Sequence, residues 1–274
     1  METCTYIDQL DNSVCVPCPP RRIVSLVPSQ TELLYHLGLD EEVVGITKFC
    51  VHPEQWFRHK TRIGGTKNVH IDKVRALQPH LIIANKEENQ QEQVEALMAE
   101  FPVWTSDIHS LEDALAMIGQ VGDITGRPAP AQALSNRIRE EFAALSSSLP
   151  VDLPARYAAY FIWRGPWMVA GGDTFINTML GACGLQNIFG GLRRYPEVSL
   201  AELPAVFNDV APEHQFVLLS SEPYPFKEQH IGEIREMLPH ARILLVDGEM
   251  FSWYGSRLLE APAYFRQLLA QVGH

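Results

Sequence analysis

Strand–helix alternation on both sides of one long helix predicts an α/β fold, and three observations carry it. First, Ala131, Leu134, Ile138, Phe142, Leu145 and Leu149 recur at steps of three or four residues, which puts all six on one helical face. Pro128 and Pro130 suit a helix entrance and Pro150 ends it, so the helix is roughly 30 Å long at 1.5 Å per residue. Second, the chain before this helix repeats short apolar runs and amphipathic segments. Third, the same alternation resumes after it, which implies mainly parallel sheets. Spacing alone leaves two architectures open: two lobes on a stiff spine, or one large α/β domain in which the helix is an ordinary crossover.

In chain order, residues 1–20 read as a polar arm ending in a proline corner. Residues 22–27 form a buried strand that Pro28 ends, and Ser29 with Glu32 has capping-box spacing for a helix closed by Gly38. A strand at 43–46, a loop at 47–57, a helix at 71–77, a strand at 81–84, a helix at 91–101, a strand at 103–104 and a helix at 111–124 follow. Beyond the spine come a strand at 155–162, a helix at 173–183 ended by Gly184, a loop at 190–196 and a short helix at 199–207. A strand at 216–219, a helix at 226–238, a strand at 243–246 and a final helix at 256–272 complete the chain. The expected organisation is an arm (1–21), a first lobe (22–125), the linking helix (126–150) and a second lobe (151–274).

The 274 residues suffice for one large or two modest domains. A net charge of −11 with no Lys/Arg-rich run argues against a nucleic-acid partner. No apolar run approaches the ~18 residues of a membrane span. The first residues lack a basic segment followed by an apolar one, so they are not a secretory signal. If residue 1 is the natural start, the expected location is the cytoplasm; if the chain is a trimmed form, it is periplasmic or otherwise extracytoplasmic. Cys4, Cys15, Cys18, Cys50 and Cys183 are odd in number and scattered, which argues against a disulfide framework. Cys15 and Cys18 make a CxxC with no second pair, so a plain arm is expected there.

Sites in parallel sheets form outside the carboxyl ends of strands. That directs attention to loops 28–29, 48–52 and 85–89, with the 64–68 turn nearby. The turn's GGTKN lacks phosphate-loop spacing. Cys50 and His52 are two residues apart and could be soft metal ligands; a structural thiol and a half-buried imidazole are the alternative. Trp163-Arg164-Gly165-Pro166-Trp167 presents two indoles and a cation at a strand end, which suits a large, partly anionic ligand, unless both rings cap their own core. Glu222, Tyr224, Phe251, Trp253 and Tyr254 cluster at later strand ends. Glu222, Asp247 and Glu249 could supply an acid–base pair or merely cap helices. No GxSxG, HExxH or GxGxxG occurs, and no catalytic residue is assigned.

RRIVSLVPSQTELLYHLGL (21–39), VVGITKFCVHP (43–53), VRALQPHLIIA (74–84), GGDTFINTMLGACGLQNIF (171–189) and YPEVSLAEL (195–203) together resemble the helical-backbone (class III) substrate-binding proteins of ABC importers, most nearly their cobalamin-binding branch. The resemblance implies two Rossmann-like α/β lobes joined by a single long backbone helix, with the ligand in the cleft between lobes. It implies non-catalytic binding of a corrinoid or another metal chelate such as a ferric siderophore or haem. No catalytic cofactor is implied, and the partner would be an importer permease. Phe49 and Tyr195 fall on corrin-clamping aromatic positions; Thr66 and Asn85 fall on two others, where this chain has no aromatic. Trp163, Trp167, Trp253 and Tyr254 are then expected to compensate. Arg164, Lys67 and Lys86 would meet anionic groups, Ser29, Asn68, Asn85 and Glu222 would orient the ligand, and His52 would approach a metal's axial position. Asp72 falls on one transporter-docking position; Ala201 falls on the other, with Glu202 beside it. A monomer is expected. The rival reading is a cytoplasmic metal-handling protein or enzyme on the same scaffold.

Overall fold

The computed structural model describes residues 2–150 and 154–271. The chain divides into two compact α/β units, Met1–Ile138 with Tyr254–Arg257, and Arg139–Trp253 with Leu258–His274. The long helix is present as Pro128–Ser148 and runs through the boundary between them. Ala131, Leu134, Ile138, Phe142 and Leu145 are all buried, as their spacing requires; Leu149 lies just past the helix end and is half-buried.

The first unit opens on β1 (Thr3–Ile7) and β2 (Ser13–Pro17), an antiparallel hairpin. The expected polar arm is therefore a folded element. Val14 and Val16 are buried, and the Asp8 carboxylate accepts hydrogen bonds from the Leu10 and Asn12 amides inside the turn. Cys4 and Cys18 form a disulfide with Cα atoms 5.9 Å apart. The CxxC is consequently no unit of its own: Cys18 pairs across the hairpin, and Cys15 is an exposed thiol on the alternate set of side chains.

The main sheet of this unit contains β3 (Ile23–Ser25), β4 (Val43–Ile46) and β5 (Thr61–Arg62). After the small antiparallel pair β6 (Gly64–Gly65) and β7 (Asn68–Val69), it is completed by β8 (Leu81–Asn85) and β9 (Val103–Ser106). Its order is β5-β4-β3-β8-β9, all parallel. Every residue of β3, β8 and β9 is buried, as expected of parallel strands covered on both faces. The helix after β3 is Pro28–His36 with Val27 at the N-cap and Pro28 in the first turn, and it has no side-chain cap. The Ser29–Glu32 capping box does not form; Glu32 instead receives a two-pronged bond from Arg257. The expected loop after β4 contains a further helix, Glu54–His59, because buried Trp56 packs edge-on against Tyr35 at 5.3 Å and donates its indole N–H to Asp40.

In the second unit β10 (Tyr157–Trp163), β11 (Met168–Val169), β12 (Gln186–Asn187), β13 (Gln215–Ser220) and β14 (Arg242–Val246) form one sheet. Its order is β11-β10-β13-β14, with β12 also beside β10 and β11 alone antiparallel. Phe161, Phe207, Val217, Leu219, Phe226 and Ile234 build its core. The last helix is Ala261–Gln271, preceded by a 3-10 turn at Ser256–Leu259; its expected end at Val272 lies outside the described residues. Among the described residues no helix is long and apolar enough to cross a membrane.

Candidate functional site

At the carboxyl ends of the first unit's strands, three loops are tied together by buried amides. Asn85 is buried: its side chain donates to Ser106 and accepts the amides of Glu87 and Glu88 at 2.8 and 2.9 Å. Asn89 accepts the Asn85 amide and donates to the carbonyls of Leu26 and Thr66. Asn85 thus shapes the loop from inside, a role that the expectation of a ligand contact did not foresee. Ser29 is buried as well. The Lys67 ammonium donates to the Glu87 carbonyl at 2.6 Å, and Lys86 pairs with Asp107, so both cations are already engaged. Thr66 is half-buried and Asn68 is exposed.

Phe49 is the ring this edge leaves open, with 52% of it exposed. Gly65 lies beneath it: a Cβ there would stand 3.0 Å from Phe49 Cε2. Lys48, absent from the sequence-based set, carries its ammonium 5.0 Å from the Phe49 centroid. Cys50 points the other way. It is fully buried against Thr31 and Thr47, and burial pushes its thiol up to about 11. A protonated thiol in that setting is a core group rather than a metal ligand. His52 is half-buried, and among the described residues no three His, Cys, Asp or Glu side chains are grouped to hold a metal ion.

Tyr254 also belongs to the first unit. It is buried, its hydroxyl donates to Glu88 at 2.8 Å, and burial beside that carboxylate holds its phenol well above the usual value. It is an anchor and presents no open ring face, contrary to expectation.

In the second unit the strand-end loops converge on Glu222. Its carboxylate accepts Ser252 Oγ at 2.6 Å and Trp253 Nε1 at 2.9 Å. Burial raises its pKa, with Glu249 and Asp247 adding to the rise. Trp253 is buried, so its indole serves this polar knot. Trp167 packs edge-on to Phe161 at 5.5 Å and stacks on Phe226 at 5.7 Å, which is the core-capping alternative for this ring. Arg164 is held by Glu233 through three hydrogen bonds of 2.9–3.1 Å, with its guanidinium carbon 5.7 Å from the Trp167 centroid. Trp163 remains open: it is 39% exposed, and Tyr224 supports it edge-on at 5.6 Å.

Tyr195, half-buried, sits on a ribbon that runs antiparallel to 167–172. Val198 N donates to Trp167 O, Val169 N to Pro196 O, and Gly171 N to Arg194 O, at 2.8–3.1 Å. Asp173, also missed from sequence, accepts the Arg194 amide at 2.5 Å. That amide, with the charges of Arg194 and Arg193, holds the Asp173 carboxyl below its usual range. The exposed carboxylates Asp72 and Glu202 lie on Ile71–Leu77 and Leu200–Glu202, and Asp72 is bonded to Arg75 at 2.8 Å.

The chain is 25% identical over 203 residues to a vitamin B12-binding protein of Vibrio parahaemolyticus, covering 73% of each. Its fold matches the periplasmic vitamin B12-binding protein of Vibrio cholerae with a TM-score of 0.76 at 20% identity, over 93% of this chain and 98% of that one. It matches a periplasmic haem-binding protein of the same organism with a TM-score of 0.75 at 20% identity, over 90% and 98%. The family model for periplasmic binding proteins matches residues 23–216. The chain therefore belongs to the periplasmic binding protein family.

Proposed function

We propose that this protein captures a corrinoid or another metal chelate, such as haem or a ferric siderophore, without turning it over, and hands it to an ABC importer. The observation that carries the reading is the pair of open aromatic rings at strand carboxyl ends, Phe49 on Gly65 and Trp163 on Tyr224. An exposed ring braced from behind offers a flat apolar face to a ligand. Tyr195, half-buried and on a position that resembles a corrin contact, is the third ring we assign to the ligand. The vitamin B12-binding relatives support a corrinoid, and the Lys48 ammonium beside Phe49 suits a ligand with peripheral carboxylates or amides. The Cys4–Cys18 bond supports an oxidising, extracytoplasmic location over the cytoplasm. Asp72 and Glu202 are the carboxylates we assign to permease docking.

The test is a tryptophan-fluorescence titration of the purified protein with cyanocobalamin, haemin and a ferric catecholate in turn. Saturable one-to-one quenching by one of them is expected. Phe49→Ala and Trp163→Ala should each weaken it roughly ten- to a hundredfold, the worth of about 1.5–3 kcal/mol of lost ring burial. Failure of all three ligands to saturate would overturn the reading.

A further inference from the structure

The ribbon carrying Tyr195 is built in a way that ordinary strand pairing does not explain. Gly171 and Gly172 give it room: a Cβ at Gly171 would lie 2.5 Å from Leu192 O, and one at Gly172 2.0 Å from Gly190 O. Both glycine amides donate into it, to Arg194 O and Leu192 O, at 2.8 Å each. In a regular antiparallel pair the Arg194 amide would return a bond to the Gly171 carbonyl. That carbonyl instead accepts Thr174 Oγ1 at 2.8 Å, within the cap of helix Phe175–Ala182. The Asp173 carboxylate takes its place and accepts the Arg194 amide. Arg194 is left-handed, with φ of 58°, a conformation that costs a residue with a Cβ and persists only when its surroundings impose it. Pro196, two residues on, has no amide to contribute, so the Asp173 carboxylate adds a side-chain hold on the Arg194 amide, beside the Gly171 and Val169 amides that bond the carbonyls of Arg194 and Pro196, at the point where Tyr195 leaves the turn.

We propose that Asp173 is a positioning residue for ligand binding: its carboxylate, standing in for a ladder carbonyl, holds Arg194 left-handed and so sets the place of Tyr195. The inference rests on the binding function proposed above. It extends that function by separating the side chain that meets the ligand, Tyr195, from the one that aims it.

The experiment uses the whole chain with cyanocobalamin and haemin as probes. Tyr195→Ala and Asp173→Ala should each weaken the probe that binds by roughly tenfold, the worth of a lost charge-assisted hydrogen bond. Asp173→Asn keeps an acceptor and should recover most of the affinity. Arg194→Gly removes the left-handed penalty, so in that background Asp173→Ala should cost less than about twofold. The melting temperature should move by no more than about 4 °C in any variant, the shift that one exposed hydrogen bond or one left-handed residue is worth in a chain of this size. Without ligand, Asp173→Ala should speed hydrogen exchange at the Arg194 and Tyr195 amides, and Arg194→Gly should not add to it. Wild-type binding with unchanged affinity in Asp173→Ala would overturn the inference and leave the binding function standing. So would equal losses in Asp173→Ala and Asp173→Asn accompanied by a fall in melting temperature well beyond about 4 °C. Failure of the wild type to bind either probe, or any ferric catecholate, would instead remove the binding function and the inference with it.

Discussion

Two glycines three residues apart in the helix Leu111–Ile124 should respond oppositely to the same substitution. Gly119 has nothing within 4 Å of the place its Cβ would occupy. Gly122 faces the first turn of the long helix: its Cβ would stand 2.3 Å from Ala131 Cβ and 3.0 Å from Arg127 O. Alanine in place of glycine favours a helix interior by about 0.8–1 kcal/mol at either position. At Gly119 that gain is unopposed. At Gly122 two carbons that prefer ~3.5–4.0 Å would have to separate by more than 1 Å, with backbone on one side that cannot rotate away. Overpacking of that kind costs about 1–3 kcal/mol or more. Gly119→Ala should thus stabilise by up to ~1 kcal/mol, and Gly122→Ala should destabilise by up to ~2 kcal/mol net of its propensity gain. Urea unfolding of both variants, followed by far-ultraviolet circular dichroism, measures the difference. A midpoint for Gly122→Ala equal to or above that of Gly119→Ala would refute the close approach of the two helices.

Three further outcomes are expected. A thiol reagent at neutral pH should find Cys15 quickly, while Cys50 and Cys183, pushed up to about 11 and about 12 by burial, should react only on unfolding; rapid labelling of Cys50 would contradict its placement. Tyr160, Tyr254 and Tyr264 have phenols held above their unfolded value of 10.0 by burial first. The stability they contribute is therefore complete below pH ~10 and is lost as pH rises through their folded values. An alkaline absorbance titration should show them ionising later than in guanidinium, and simultaneous titration of all eight tyrosines near pH 10 would count against their burial. Glu222 also has a folded pKa raised first by burial, so its ionised form carries a desolvation cost in the folded protein. Glu222→Gln keeps an acceptor for Ser252 and Trp253 and should be at least as stable as wild type at pH 7, whereas Glu222→Ala should be less stable; a marked loss in the glutamine variant would show that the charge itself is needed.

Elements with long, regular periodicity were legible from sequence. Helices 71–77 and 111–124 and strand 43–46 stand where spacing and terminators put them. The N-terminal hairpin was less so, although its signal exists: Val14 and Val16 alternate with polar residues, and Asp11 before Asn12 marks a left-handed turn. The site divides along a physical line. The loops singled out from sequence do follow the carboxyl ends of parallel strands, which strand–helix alternation makes readable and where sites in such sheets form. Which side chains within them face outward was not readable. Tyr254 and Glu88 meet across 166 residues, and Arg164 and Glu233 across 69, so no local pattern reveals that these groups are engaged. Asn85 poses a related difficulty: a strand-end amide serves a ligand or its own loop equally well, and only the arrangement of Ser106, Glu87 and Glu88 around it shows that it bonds its own loop.

The return of Tyr254–Arg257 to the first unit bears on how such a protein can be inherited. Its hydroxyl and guanidinium donors reach Glu88 and Glu32, residues encoded far upstream. A gene cut after Ile138 would yield a first half lacking these two donors, and a second half still carrying four residues that belong elsewhere. Exchange of halves between paralogues, by recombination or by design, would break both contacts unless the acceptor carboxylates matched.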